Sequence, residues 1–159
     1  MASPIIVRRS RVHGNGVFAA CDLPAGTELI EYKGRLITTE QADELYDEIY
    51  TGHTFLFALN DAWIIDGNVG GNDARWFNHS CEPNCIPYLH THPRDRMKDR
   101  VIIETLRDVA EGEELNYDYG ISFDVPYTAR LKKIWACRCG APSCTGTLLQ
   151  PRTHERVTP

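Results

Sequence analysis

No apolar run in this 159-residue chain comes near the ~18 consecutive residues that a membrane-spanning helix needs. The opening residues, Met-Ala-Ser-Pro-Ile-Ile-Val-Arg-Arg, hold only a short apolar stretch before charge begins, too little for a secretory signal. A soluble chain made in the cytoplasm, with no membrane partner, is the expectation. Basic excess is missing too: 17 Lys and Arg stand against 22 Asp and Glu, a formal charge of −5. A nucleic-acid binder shows a basic face, so direct nucleic-acid binding is not expected. An acidic balance suits a basic partner, because it steers cations inward. The signature of disorder is absent as well, since 42% of residues are apolar and 25% charged. One folded domain with a real core follows.

The strand signals are short and numerous: 5–7, 16–20, 28–32, 54–59, 62–65, 85–90, 101–106 and 114–119. Gly, Pro and Asn punctuate them at intervals too short for βαβ crossovers, which predicts a mostly β fold of small, irregular, largely antiparallel sheets with few helices. One helix is marked by a capping box of Thr38 and Gln41, carries Ala42, Leu45, Tyr46 and Ile49 at helical spacing, and should stop at Gly52. A shorter one is expected over 127–134, after Pro126. The polar segment 91–99 reads as an exposed loop. Asp22-Leu-Pro-Ala-Gly-Thr-Glu-Leu29 and Asp108-Val-Ala-Glu-Gly-Glu-Glu-Leu115 share the pattern D-[LV]-x-x-G-x-E-L, read as repeated turn chemistry feeding two strands.

Six cysteines without an export signal make a poor disulfide framework. Cys137-x-Cys139-x4-Cys144 puts three thiols within eight residues, and tetrahedral Zn²⁺ takes four ligands. On spacing alone the fourth is open among Cys21, Cys81, Cys85, His79 and His154. On a strand Tyr117 and Tyr119 face the same side, roughly 7 Å apart, as an aromatic core pair or as the wall of an amine-binding pocket. Gly14-Asn15-Gly16 lets backbone approach a ligand or simply turns a hairpin. Neither it nor Gly67-Asn-Val-Gly-Gly71 continues as Gly-x-Gly-x-x-Gly into a helix, which argues against a Rossmann cofactor site. His79 and Cys81 are too close in sequence for a typical Cys/His nucleophilic pair, so a buried polar loop is the plainer reading of Trp76-Phe-Asn-His-Ser-Cys-Glu-Pro-Asn-Cys85.

In their order along the chain, Gly14-Asn-Gly-Val-Phe18, Glu31-Tyr-Lys-Gly34, Arg75-Trp-Phe-Asn-His-Ser-Cys-Glu-Pro-Asn84, Glu113-Glu-Leu-Asn-Tyr-Asp-Tyr-Gly120 and the terminal cysteines resemble a SET-domain lysine methyltransferase with a post-SET zinc tail. The compact size is closer to stand-alone bacterial or viral members, and no cysteine-rich segment precedes residue 5. The resemblance implies a SET domain over 1–124 and a post-SET region over 125–159. It implies that the Asn-His and Tyr-Asp-Tyr segments thread past one another in a pseudoknot. Gly14, Asn15, Gly16, Asn78, His79 and Tyr119 would bind S-adenosylmethionine, while Cys81 would join Cys137, Cys139 and Cys144 on one zinc ion. Tyr119, Tyr117 and Tyr32 would be the catalytic tyrosines.

The implied reaction is attack of a neutral lysine amine on the sulfonium methyl. A free lysine has a pKa of about 10.4, so a neutral amine costs roughly 4–5 kcal/mol at pH 7, a cost lowered by nearby positive charge and an apolar channel. A histone or histone-like basic protein is the expected substrate, with mainly mono- and some dimethylation. The protein would be a monomer or, alternatively, a dimer, in the cytoplasm, in a nucleus or delivered to a host. A non-histone substrate and a non-catalytic zinc-dependent interaction module are the rival readings.

Overall fold

The structure, a computed structural model, describes residues 2–150. His154, one candidate for the fourth metal ligand, and the 151–159 end of the expected post-SET region lie outside the described residues. Among the described residues no helix is long and apolar enough to cross a membrane.

Among the described residues, ten short strands form three small sheets. In the first, β1 (Ile5–Arg9) and β2 (Asn15–Ala19) form a hairpin with Arg9 opposite Asn15. Its loop closes where Ser10 N–H donates to the Gly14 carbonyl at 2.7 Å, Gly14 taking φ +46°. β10 (Glu114–Tyr117) joins the other edge of β2 and then pairs with β7 (Asn78–His79), which runs parallel to it. The second sheet orders β3 (Glu28–Glu31), β9 (Arg100–Thr105) and β8 (Cys85–His90). The third orders β4 (Arg35–Ile37), β6 (Ile64–Asp66) and β5 (Leu56–Ala58). Alternation puts Val17, Ala19, Ile103 and Leu115 inward, where they pack with Phe77 and Tyr117 in one apolar core.

The echoed D-[LV]-x-x-G segments lie face to face. Leu23 and Val109 exchange two backbone hydrogen bonds of 2.8 Å. Asp22 then accepts from Glu111 N–H and Asp108 accepts from Ala25 N–H, each three residues into the opposite turn. Gly26 N–H reaches Thr105 while Gly112 N–H reaches Ala19, so the exchange obeys a local two-fold. Repeated turn chemistry is the correct reading of the motif, and its purpose is reciprocal capping.

The first helix is shorter than its periodicity predicts. α1 spans Thr39–Leu45 with the expected capping box, but Tyr46 is extended and a separate 3-10 turn covers Glu48–Tyr50. Two tertiary anchors override propensity here. The Tyr46 hydroxyl donates to buried Asp66 at 2.8 Å, and the Ile49 carbonyl accepts the Trp135 indole N–H at 2.7 Å. α2 (Ala129–Ile134) is capped by Thr128, close to expectation. It carries Leu131 and Trp135 into a second cluster with Leu149, Ile49, Ile121 and Phe123. The C-terminal segment is therefore knitted to the body, and the strand expected over 114–119 ends at Tyr117.

Candidate functional site

The β7–β10 pairing assembles the site. Asn116 stands beside Asn78 and Tyr117 beside His79, and Ser80 N–H continues the ladder to the Tyr117 carbonyl at 3.1 Å. Two chain segments nearly forty residues apart thereby share one backbone frame. Asn78 is buried, and its amide nitrogen lies 3.1 Å from the carbonyls of His13 and Asn15 and 2.9 Å from Glu114. That side chain holds the Gly14–Gly16 turn in place. Gly16 has no room for a side chain, because a Cβ would meet Glu114 at 2.5 Å and Ser10 at 2.9 Å.

His79 is a connector and not a free base. Its Nδ1 accepts the Tyr119 backbone N–H at 3.0 Å, which leaves Nε2 carrying the proton, 3.5 Å from the Cys81 sulfur. Burial lowers its pKa, with Asp118 opposing, so the ring is held in this neutral form. The imidazole ties the tyrosine segment to the cysteine cluster.

Cys81, Cys137, Cys139 and Cys144 bring their sulfurs within 4.8 Å of one another. Cys81 and Cys137 are 3.8 Å apart. Zn–S bonds of about 2.3 Å give a tetrahedron with edges of about 3.8 Å, so the donor set fits zinc in number, chemistry and spacing. All four thiols are free. Burial raises the thiol pKa of Cys81 and Cys137; it also opposes the lowering at Cys139, where neighbouring N–H groups and thiols prevail. Cys21 is exposed elsewhere, and Cys85 is buried in the core with its pKa pushed up to about 12 by burial.

Two cavities meet at Tyr119, Thr54 and Arg75. The larger, about 540 Å³, falls within the ~300–1,000 Å³ typical of small-molecule sites. Gly14, Asn15, Asn78, His79 and Tyr119 line it, as the sequence motifs suggest, and Trp135, Cys137 and Arg138 join them from the C-terminal segment. Gly16 is not among the lining residues and packs against Glu114 and Ser10. The smaller cavity, about 190 Å³, is walled by Tyr32, Phe57, Tyr117, Tyr119 and Ile121. Tyr117 and Tyr119 ring centroids are 5.0 Å apart, closer than ideal strand spacing because Tyr119 lies beyond the end of β10. Tyr119 donates its hydroxyl proton to the Phe77 carbonyl, and Tyr32 donates to the Phe55 carbonyl at 2.8 Å. Tyr117 lies almost wholly buried, and its hydroxyl has no hydrogen-bond partner among the described residues.

Arg75 is the residue that motif reading passes over. Its guanidinium lies 4.7 Å from the Trp76 ring centroid and 5.5 Å from that of Phe55, and it donates to the Gly67 carbonyl at 3.3 Å. Its Nε is buried without a partner. His53, Thr54 and Phe55 likewise come from a loop with no motif to mark it. Its place directly before Trp76-Phe77 was the signal available in sequence, and the second ring, Phe55, comes from twenty residues earlier.

The SET domain family model matches residues 14–120. The chain is 38% identical over 143 residues to human histone-lysine N-methyltransferase 2D, a match covering 88% of this chain and 2% of that protein. It is 36% identical over 146 residues to Drosophila melanogaster histone-lysine N-methyltransferase trithorax (87% and 4%). It is also 36% identical over 152 residues to Arabidopsis thaliana histone-lysine N-methyltransferase ATX2 (93% and 13%). The chain thus spans a small fraction of the length of these relatives. The matched segment contains the β7–β10 frame, the Gly14–Gly16 turn and all three tyrosines, and the chain belongs to the SET-domain family.

Proposed function

We propose that this chain is a protein-lysine N-methyltransferase acting on a histone or histone-like basic protein. One observation carries the reading: a large cavity and a narrow aromatic channel join at Tyr119, Thr54 and Arg75. That arrangement lets a cofactor and a long side chain enter separately and meet end to end. S-adenosylmethionine fits the larger cavity, where it would supply an electrophilic methyl group. Gly14, Asn15, Asn78, His79 and Tyr119 would hold it, and the lining offers Arg75, Lys133 and Arg138 but no carboxylate, which suits a ligand bearing one.

The channel's own residues do the rest. Tyr32, Leu56, Phe57 and Ile121 strip water from an entering lysine stem, and desolvation favours the neutral amine. Arg75, a fixed cation at the junction, pushes in the same direction. No carboxylate or imidazole lines the channel, so deprotonation is left to solvent and not to a strong base. The Tyr119 oxygen, its proton committed to Phe77, presents lone pairs to orient the amine. Burial together with Tyr119 and Tyr32 raises the Tyr117 pKa well above its usual value, keeping that phenol a proton-bearing donor and acceptor. Zinc on Cys81, Cys137, Cys139 and Cys144 would be structural, since four thiolates leave no open position. Mainly monomethyl product, with some dimethyl, is the expected outcome.

The test is incubation with labelled S-adenosylmethionine and a panel of histone and host-cell proteins, followed by mapping of the modified residue by mass spectrometry. Label on lysine supports the reading, and label on another residue type or none at all overturns it.

A further inference from the structure

Three residues line both cavities: Thr54, Arg75 and Tyr119. A group that reaches from the channel into the larger cavity must pass them. Tyr119 offers oxygen lone pairs, its proton being given to the Phe77 carbonyl. Arg75 offers donors alone, because a guanidinium accepts nothing. The Thr54 hydroxyl is the other side-chain acceptor at this junction, and neither fold nor cofactor binding has yet claimed it.

Thr54 is half-buried and stands just ahead of β5, in the loop that delivers His53 and Phe55. Its Oγ1 accepts the Leu56 backbone N–H at 2.9 Å, a local turn bond that fixes the torsion of a β-branched side chain. The hydroxyl makes no other hydrogen bond among the described residues, so a lone pair stays open. The backbone acceptors beside it are taken. The Phe55 carbonyl receives the Tyr32 hydroxyl at 2.8 Å and the Gly67 N–H at 2.9 Å, and the His53 carbonyl receives the Thr51 hydroxyl at 2.8 Å. Those bonds also pin the loop on either side of Thr54.

A neutral primary amine carries two N–H bonds and one lone pair. With its carbon stem in the channel and its lone pair toward the larger cavity, both N–H bonds project sideways at the junction. A single acceptor leaves the amine free to turn about that one hydrogen bond, whereas two acceptors fix the direction of the lone pair. We propose, on the lysine-methyltransferase reading, that Thr54 Oγ1 accepts the second N–H while Tyr119 accepts the first. The pair treats successive rounds of transfer differently. An unmethylated lysine uses both acceptors, but a monomethyl-lysine has one N–H left and is held by Tyr119. Thr54 therefore favours the first transfer over the second, in the direction of a mainly monomethyl product.

Thr54→Val keeps the branched shape and removes the hydroxyl, and Thr54→Ser keeps the hydroxyl. The substrates are a peptide around the lysine that labelling maps and the same peptide monomethylated at that lysine. Single-turnover rates on the two should show a first-to-second ratio about five-fold lower in the valine variant, the worth of one hydrogen bond. The serine variant should restore the ratio. The pH at which the rate rises should stay in place, since a threonine hydroxyl does not titrate in that range. Calorimetry reads the same contact without transfer. With S-adenosylhomocysteine bound, Thr54→Val should weaken the lysine peptide about five-fold and leave a norleucine peptide, which has no amine, unchanged. Equal slowing of both rounds, an unchanged ratio, or a serine variant as impaired as the valine variant overturns the proposal. A wild-type protein that transfers no methyl to lysine overturns the methyltransferase reading and this role with it, whereas an active wild type with an unchanged ratio in Thr54→Val removes Thr54 alone.

Discussion

The Tyr119 hydroxyl spends its proton on the Phe77 carbonyl, and Tyr117, ring against ring beside it, has no hydroxyl partner among the described residues. That difference assigns two tasks. Tyr119→Phe removes the oxygen proposed to orient the amine and should cut turnover at least ~10²-fold, within the range of one positioned group. The wild-type rate should climb from pH 7 toward about 9 as the lysine amine loses its proton. Burial holds both phenols above their ordinary pKa, so no descending limb from tyrosine ionisation should intrude in that window. Single-turnover rates measured across it check both statements. Tyr117→Phe acts on product instead. Each added methyl removes an N–H donor and needs volume near the unpaired phenol. Losing an interaction worth about 1 kcal/mol shifts product ratios several-fold. Mass spectrometry after exhaustive reaction should show mainly monomethyl-lysine from wild type and more di- and trimethyl-lysine from the variant. The Tyr-x-Tyr spacing marked both tyrosines in sequence, but strand alternation did not place them, because β10 ends at Tyr117 and Tyr119 lies beyond it. Arg75 had no such spacing, since its role depends on ring faces supplied by Phe55, twenty residues earlier.

At the scale of elements, the parallel β7–β10 pair carries the site, and it is two residues wide. Periodicity needs four or more residues to speak, so β7 and the three-residue β4 left no strand signal of their own. The Asn-His-Ser-Cys motif named the residues of β7 without naming the element. Motif also suggested that Asn78 touches cofactor, yet its amide nitrogen is committed to the turn. Asn78→Ala should therefore release the Gly14–Gly16 loop as well as the ligand, weakening S-adenosylmethionine by about 1–3 kcal/mol, measurable by calorimetry. Faster amide exchange in 10–16 would separate loop release from a lost direct contact. The cysteines divide in the same concrete way. Cys81→Ser should lower zinc content well below one per chain and reduce activity with it, by metal analysis of the purified protein. Cys85→Ala should leave zinc unchanged, because that sulfur lies apart from the cluster in the core.

The whole molecule consists of two apolar clusters joined by few links, and the larger cavity lies where they meet. His13, Asn15, Asn78 and Tyr119 reach it from the body, while Trp135, Cys137, Arg138 and Leu148 close it from the C-terminal segment. The Trp135 indole on Ile49, the bridge of Ile121 to Leu149, and the cluster that joins Cys81 to Cys137 tie that segment to the body. Among the described residues the second cluster buries Leu131, Trp135 and Leu149 fully, too small a core to keep its place unaided. Metal removal should consequently cost the larger cavity before it costs the fold. A strong chelator should abolish S-adenosylmethionine binding and split thermal unfolding into an early, small transition and a later one near the original midpoint. Trp135 fluorescence should follow the early step and far-ultraviolet circular dichroism the later. A single coincident transition at an unchanged midpoint, with binding intact, would mean that the apolar contacts of Trp135 hold the segment without the metal.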